Sequence, residues 1–215
     1  MVKKLQLTPE ELFYLGKLYE GKFLNYSYIQ VMEDMGNARS FKGKCKDILI
    51  EKGIINENLL GDMSFDEDIK QFLRPIYFGE FCSTVEIYDV ETKTKKVINF
   101  HFENTNGLMV WMEKDNYQIS SVTETELKQL VYKLMPEKYN ESNPPEALEV
   151  SEDTLKRVLV FKNIQIGDTA EINVYYDFNS YLCEKDADNK INVLSPKCFW
   201  EKALNCLKGG ICDGL

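Results

Sequence analysis

From Phe78 onward the apolar residues cease to recur at helical spacing and begin to alternate, and this change of period most narrows the folds open to the chain. Phe81, Val85 and Ile87 fall on one side of an extended segment, with Thr84, Glu86 and Tyr88 on the other. Turn-forming stretches at Glu91-Thr92-Lys93-Thr94, Asn104-Thr105-Asn106-Gly107 and Asp115-Asn116 separate three further strands, Lys96 to Glu103, Leu108 to Glu113 and Tyr117 to Val122. Strands joined by turns this short pair antiparallel, so the middle of the chain predicts a meander.

Before the meander the period is helical. Thr8-Pro9-Glu10-Glu11 is a capping box with proline at the first helical position, and Leu12, Leu15, Leu18 and Tyr19 follow at helical spacing up to Gly21. Further helices are predicted over Tyr26 to Met35, over Ser40 to Lys52 with Gly53 as its stop, and from a Ser64-Phe65-Asp66-Glu67 box to Leu73, ended by Pro75. After the meander, Thr123-Glu124-Thr125-Glu126 caps a helix with Leu127, Leu130, Val131 and Leu134 on one stripe.

Pro136 to Glu149, containing Asn143-Pro144-Pro145, has the composition of a linker. Beyond it the pattern predicts a short helix from Ser151 to about Val160, then a strand from Thr169 to Phe178 that sets Ala170, Ile172, Val174 and Tyr176 against Glu171, Asn173 and Tyr175. Two more strands, Ser180 to Lys185 and Lys190 to Leu194, precede a final helix opened by Ser195-Pro196 and carrying Phe199, Trp200, Ala203, Leu204 and Leu207. Strands followed by a capped helix thus occur twice, and Phe78 to Met135 and Asp168 to Leu207 read as related units. The expectation is an α+β fold of two halves, 1–135 and 151–215, joined by the linker 136–150 within one compact domain.

Composition excludes several function classes. A hydrophobic fraction of 44% with 12% aromatics supports a packed core and rules out a disordered chain. A net charge of −9 opposes non-specific binding to nucleic acid or to an anionic membrane, both of which need a cationic surface. Lys42, Lys44 and Lys46 form the one dense basic cluster and read as a solvated helix face. The opening residues lack a signal-peptide apolar region and no apolar run matches a membrane span, so a cytoplasmic location is expected.

Catalytic and metal chemistry find no foothold. Cys45, Cys82, Cys183, Cys198, Cys206 and Cys212 include no CxxC pair and have a single histidine, His101, to help them, so they read as reduced and mostly buried, with Cys212 the most exposed. A nucleophile and base would have to run through His101, which sits mid-strand in Asn99-Phe100-His101-Phe102. No glycine-rich phosphate loop is present. Asp186-Ala187-Asp188-Asn189-Lys190 has part of a calcium loop's spacing, but Ile191 stands where glycine is required and Lys197 where a bidentate glutamate is required, so it reads as a hairpin turn. No catalytic residue, metal or cofactor is assigned.

What stands out is a set of amphipathic side chains, Tyr88, His101, Met109 and Trp111, expected on one side of the meander, with Tyr175 in the matching place of the second unit. Trp, Tyr and Met are residue types that protein interfaces enrich, so these five are the candidate partner-binding residues.

Several stretches together resemble the EspG-like cytosolic chaperones of type VII (ESX) secretion, including shorter relatives beside such loci in Gram-positive bacteria: Leu7-Thr8-Pro9-Glu10-Glu11-Leu12, Leu49-Ile50-Glu51-Lys52-Gly53-Ile54-Ile55, Phe72-Leu73-Arg74-Pro75, the meander after them, and the late strands ending in Ser195-Pro196 and an amphipathic helix. The resemblance implies a central antiparallel sheet with flanking helices in two quasi-symmetric halves. It also implies a non-enzymatic chaperone that grips the apolar tip of a helical secreted substrate of the LXG, WXG or PE/PPE kind and keeps it soluble. The acidic surface leaves an alternative from another class, an immunity protein that occludes the basic site of a secreted toxin.

Overall fold

The computed structural model describes residues 3–21, 38–79, 81–104, 106–136, 154–165, 171–178, 181–185 and 190–208. The helix expected over Tyr26 to Met35, residues 137–150 of the linker, the Asp186 to Asn189 turn and Cys212 lie outside them. In chain order the elements are β1 (Lys4–Leu7), α1 (Pro9–Leu18), α2 (Ala38–Glu51), β2 (Ile55–Glu57), β3 (Met63–Phe65), α3 (Glu67–Phe78) and β4 (Phe81–Asp89). There follow β5 (Thr94–Glu103), β6 (Asn106–Glu113), β7 (Asn116–Ser121), α4 (Glu124–Leu134), β8 (Arg157–Gln165), β9 (Glu171–Asp177), β10 (Leu182–Lys185), β11 (Ile191–Leu194) and α5 (Pro196–Lys208).

Nine strands form one antiparallel sheet in the order β1-β7-β6-β5-β4-β8-β9-β10-β11, while β2 and β3 make a separate hairpin. Two meanders, β4 to β7 and β8 to β11, meet at β4 and β8, and each is followed in sequence by a helix, α4 or α5. The fold is therefore α+β, with a large antiparallel sheet and flanking helices. The chain divides into two compact units, Met1–Cys82 with His101–Ser121 and Ser83–Phe100 with Val122–Leu215. This division does not follow halves 1–135 and 151–215, because α4 belongs with α5, where Lys208 Nζ donates to Glu124 Oε1 at 2.8 Å.

In the first unit Thr8 caps α1 as its sequence requires: its hydroxyl accepts from the Glu11 amide at 3.2 Å, and Glu11 Oε2 accepts from the Thr8 amide at 2.8 Å. Leu12 and Leu15 of α1, Leu49 of α2 and Leu73, Ile76 and Tyr77 of α3 pack with Leu7, Leu108, Val110, Tyr117 and Ile119 from β1, β6 and β7. Each such fully buried aliphatic side chain contributes about 1.5–3 kcal/mol. Gly53, at φ +67°, takes the left-handed conformation that ends α2, and the Ile54 amide closes the motif on Leu49 O at 2.9 Å.

Three local expectations are corrected here. Strand β1, pairing antiparallel with β7, was not anticipated. Ser64 lies in β3 and does not cap α3; Asp66 does, its carboxylate accepting from the Ile69 amide at 3.1 Å. Pro75 does not stop α3, which continues to Phe78 because Ile76 and Tyr77 are drawn into the core and the Tyr77 hydroxyl donates to Leu12 O at 2.8 Å. The helix ends instead at Gly79, where a Cβ would lie 2.3 Å from Pro75 O and 2.8 Å from Phe102 O, a space only glycine fits.

In the second unit α4 carries the full Thr123/Glu126 capping box and buries Leu127, Val131 and Leu134. Phe199 of α5 meets Tyr175 edge-on at 5.1 Å, and Tyr175 meets Phe161 of β8 at 5.5 Å, an arrangement that favours aromatic quadrupoles. Ser83 Oγ donates to Leu207 O at 3.1 Å and Arg157 Nη2 to Leu134 O at 3.2 Å, so both helices lie on the same side of their strands. The short helix expected from Ser151 to Val160 is replaced, from Arg157 on, by β8. Leu159 and Phe161 are wholly buried and alternate with partly exposed Val158 and Val160, so the strand period wins over the helical one.

Candidate protein-binding faces

The five candidate residues do not share one face. In the first unit Met109 and Trp111 alternate along β6 with Leu108 and Val110, whose side chains enter the core beneath α1, α2 and α3. Met109 and Trp111 therefore point away from those helices. They lie opposite Ser120 and Gln118 of β7, which in turn lie opposite Lys4 and Gln6 of β1. His101 points the other way. Glu103, two residues along β5, pairs with Arg74 of α3 at 2.7 Å, which places His101 on the helix-covered side, where it is 0% exposed.

The second unit repeats the split. Lys162 Nζ reaches Glu86 Oε1 at 2.7 Å, so Glu86, and with it Tyr88, shares a side with Val158 and Val160. Tyr175 pairs with Leu159 on the opposite side, against Phe199, and is 0% exposed. Tyr88 is 42% exposed, and Met109 and Trp111 are half-buried. Two of the five, His101 and Tyr175, are thus core residues as the chain is folded. The reason in each case is strand parity: the side that seemed polar from its charged members is the one a helix covers.

The side of the second unit turned away from α4 and α5 carries a signal that the sequence reading missed. Across β8 and β9 the pairs Val158 with Tyr176, Val160 with Val174 and Lys162 with Ile172 lie side by side, and Ile172 is 56% exposed. On the helix-covered side β9 presents Asn173, Tyr175 and Asp177, with Glu171 at its end. The more apolar set of this strand thus faces out and the more polar set faces in, the reverse of an ordinary one-sided sheet. The Ile172, Val174, Tyr176 alternation was visible in the sequence, but it reads naturally as the buried side. Glu86 stands among these residues; burial works against its charge, and hydrogen bonds from Lys162 and Lys95 more than offset that, holding its carboxyl below the ordinary range. Lys185 lies over the Tyr176 ring at 5.5 Å.

Chemically the buried groups are quiet. Burial lowers the His101 imidazole to about 3, and its Nε2 lies 3.9 Å from Cys82 Sγ with both side chains 0% exposed, so no substrate reaches the pair. Burial pushes the Cys45, Cys183 and Cys206 thiols up to about 11, which leaves them protonated and unreactive at neutral pH. The described cysteines are free thiols, and among the described residues no group of His, Cys, Asp or Glu is placed to hold a metal ion. Among the same residues no helix is long and apolar enough to cross a membrane.

No protein-family model matches the sequence, and no curated protein matches it either. Among solved structures, the chain is similar to the Mycobacterium tuberculosis type VII secretion system chaperone EspG5, solved in complex with a PE25-PPE41 dimer, at a TM-score of 0.61 and 7% identity over 99% of this chain and 98% of that one. At that identity the likeness is one of fold, and the nine-stranded antiparallel sheet with its flanking helices is the fold this chain has in common with that chaperone.

Proposed function

We propose that this chain is a non-enzymatic, cytoplasmic chaperone that binds a helical substrate of a type VII secretion system, of the LXG, WXG or PE/PPE kind, and keeps it soluble and competent for export. The observation that carries the reading is the inverted side of the second unit, where Val160, Ile172, Val174 and Tyr176 stay partly exposed beside Tyr88 while polar groups face the helices. An apolar sheet face edged by Lys95, Lys162 and Lys185 suits the apolar tip of a helical bundle better than it suits water. Met109 and Trp111 of the first unit offer a second set of anchors of the same chemical kind. The common fold with a secretion chaperone supports the same class of activity.

Co-expression tests the proposal. A cognate helical secretion substrate produced alone should aggregate, and produced with this chain should become soluble and co-purify with it. Co-purification with the basic domain of a toxin, and with no helical substrate, would replace the chaperone reading with the immunity one.

A further inference from the structure

The outward side of the second unit carries a charge pattern opposite to that of the whole chain. Glu86 of β4 accepts from Lys162 Nζ of β8 at 2.7 Å and lies 3.0 Å from Lys95 Nζ of β5, so one carboxylate answers two ammonium groups. Lys185 of β10 adds a third cation, over the Tyr176 ring. The other carboxylates of β4 and β8 to β11, which are Asp89, Glu171, Asp177 and Glu184, have the opposite strand parity. Asp177 and Glu184 are answered there by Arg157 and Lys202. In a chain of net charge −9, the outward side of these strands thus sets three ammonium groups against a single carboxylate among the described residues.

Glu86 is the most deeply set of the three, its side chain 19% exposed against 34% for Lys162 and 51% for Lys95. Its two oxygens are taken by the two lysines, whereas each ammonium group has three donors and so keeps capacity for a further acceptor. Glu86 also tethers Lys162, the cross-strand neighbour of Ile172, at the margin of the apolar row Ile172, Val174 and Tyr176. A wholly apolar segment seated on that row would cover an ammonium group that has no counter-ion of its own, and a basic segment would add repulsion; a carboxylate completes the set. We infer that this side selects a helical client segment whose apolar stripe is flanked by Asp or Glu, the client carboxylate pairing with Lys162 and Lys95. The inference rests on the chaperone reading and names the chemistry of its client. An anionic membrane would meet the same lysines, but the net negative charge of the chain repels an extended anionic surface, while a single carboxylate acts at contact distance.

The test pans the full chain against a phage-displayed library of amphipathic helical peptides that share an apolar stripe and have random residues beside it. Recovered peptides should carry Asp or Glu next to the stripe about tenfold or more often than Lys or Arg. Lys162→Gln and Lys95→Gln should each remove that preference while keeping the wild-type melting temperature, because both side chains are partly exposed and outside the core. Val174→Lys should abolish recovery. Peptides that depend on Val174 but have neutral or basic flanks would overturn the inference and leave the chaperone reading standing. No recovery, or recovery that Val174→Lys does not change, would overturn both. Sedimentation of the chain with phosphatidylserine vesicles that Lys162→Gln removes would assign these lysines to lipid and overturn the inference as well.

Discussion

His101, the chain's one histidine, is buried and held neutral, and this has a consequence for acid stability. Its folded value, about 3, lies below the unfolded value near 6.5, so the unfolded chain binds the extra proton across that window. Stability from this group is therefore fully present above about pH 6.5 and is lost as pH falls through the window, at up to ~1.4 kcal/mol per pH unit. Urea unfolding of His101→Gln across pH 4 to 7 should show a shallower slope than the wild type; identical slopes would mean the imidazole is not neutral in the fold. Tyr175 offers a second contrast, because its hydroxyl has no hydrogen-bond partner among the described residues although its ring is locked against Phe161 and Phe199. Tyr175→Phe should raise stability by ~1 kcal/mol by removing an unsatisfied buried group, whereas Tyr175→Ala should cost ~3–5 kcal/mol through the cavity it leaves. Half-buried Trp111 belongs to neither case: Trp111→Ala should leave the melting temperature within a few degrees and weaken client binding by about tenfold or more, as a melt and a pull-down on one sample would show.

At the scale of elements, helix caps were the most legible feature, since Thr8 and Thr123 each place a hydroxyl and a glutamate three residues apart and each forms the full reciprocal box. Thr123→Ala should cost ~1 kcal/mol in thermal or urea unfolding, and no change would show that tertiary contacts alone hold the start of α4. The strands of the first meander were equally legible, because short turns and alternation leave one pairing pattern. What the sequence concealed has physical causes. Val158-Leu159-Val160-Phe161 is an apolar run that periodicity alone cannot divide between helix and strand, so β8 was missed and only its place between β4 and β9 reveals it. Pro75 lies inside α3 because the packing of Ile76 and Tyr77 outweighs a lost amide donor. The candidate site was the least legible feature: alternation tells which residues share a side of one strand, but not which stretch of that side a helix will cover, and so buried His101 and Tyr175 stand in one set with Tyr88, Met109 and Trp111, which stay partly exposed.

For the whole molecule, the twofold recurrence of strands followed by a capped helix survives in the sheet, where two meanders meet at β4 and β8, even though the compact units cut across the sequence halves. The likeness to a secretion chaperone, at 7% identity, is one of fold. Calorimetric titration against a purified helical secretion substrate tests most directly whether the side of the second unit that turns its apolar residues outward binds a client. Wild-type protein should bind saturably, and Val174→Lys should bind about tenfold or more weakly while melting at the wild-type temperature. A folded Val174→Lys chain that binds its substrate as tightly as the wild type, or a wild-type chain that binds no helical secretion substrate at all, would contradict the account.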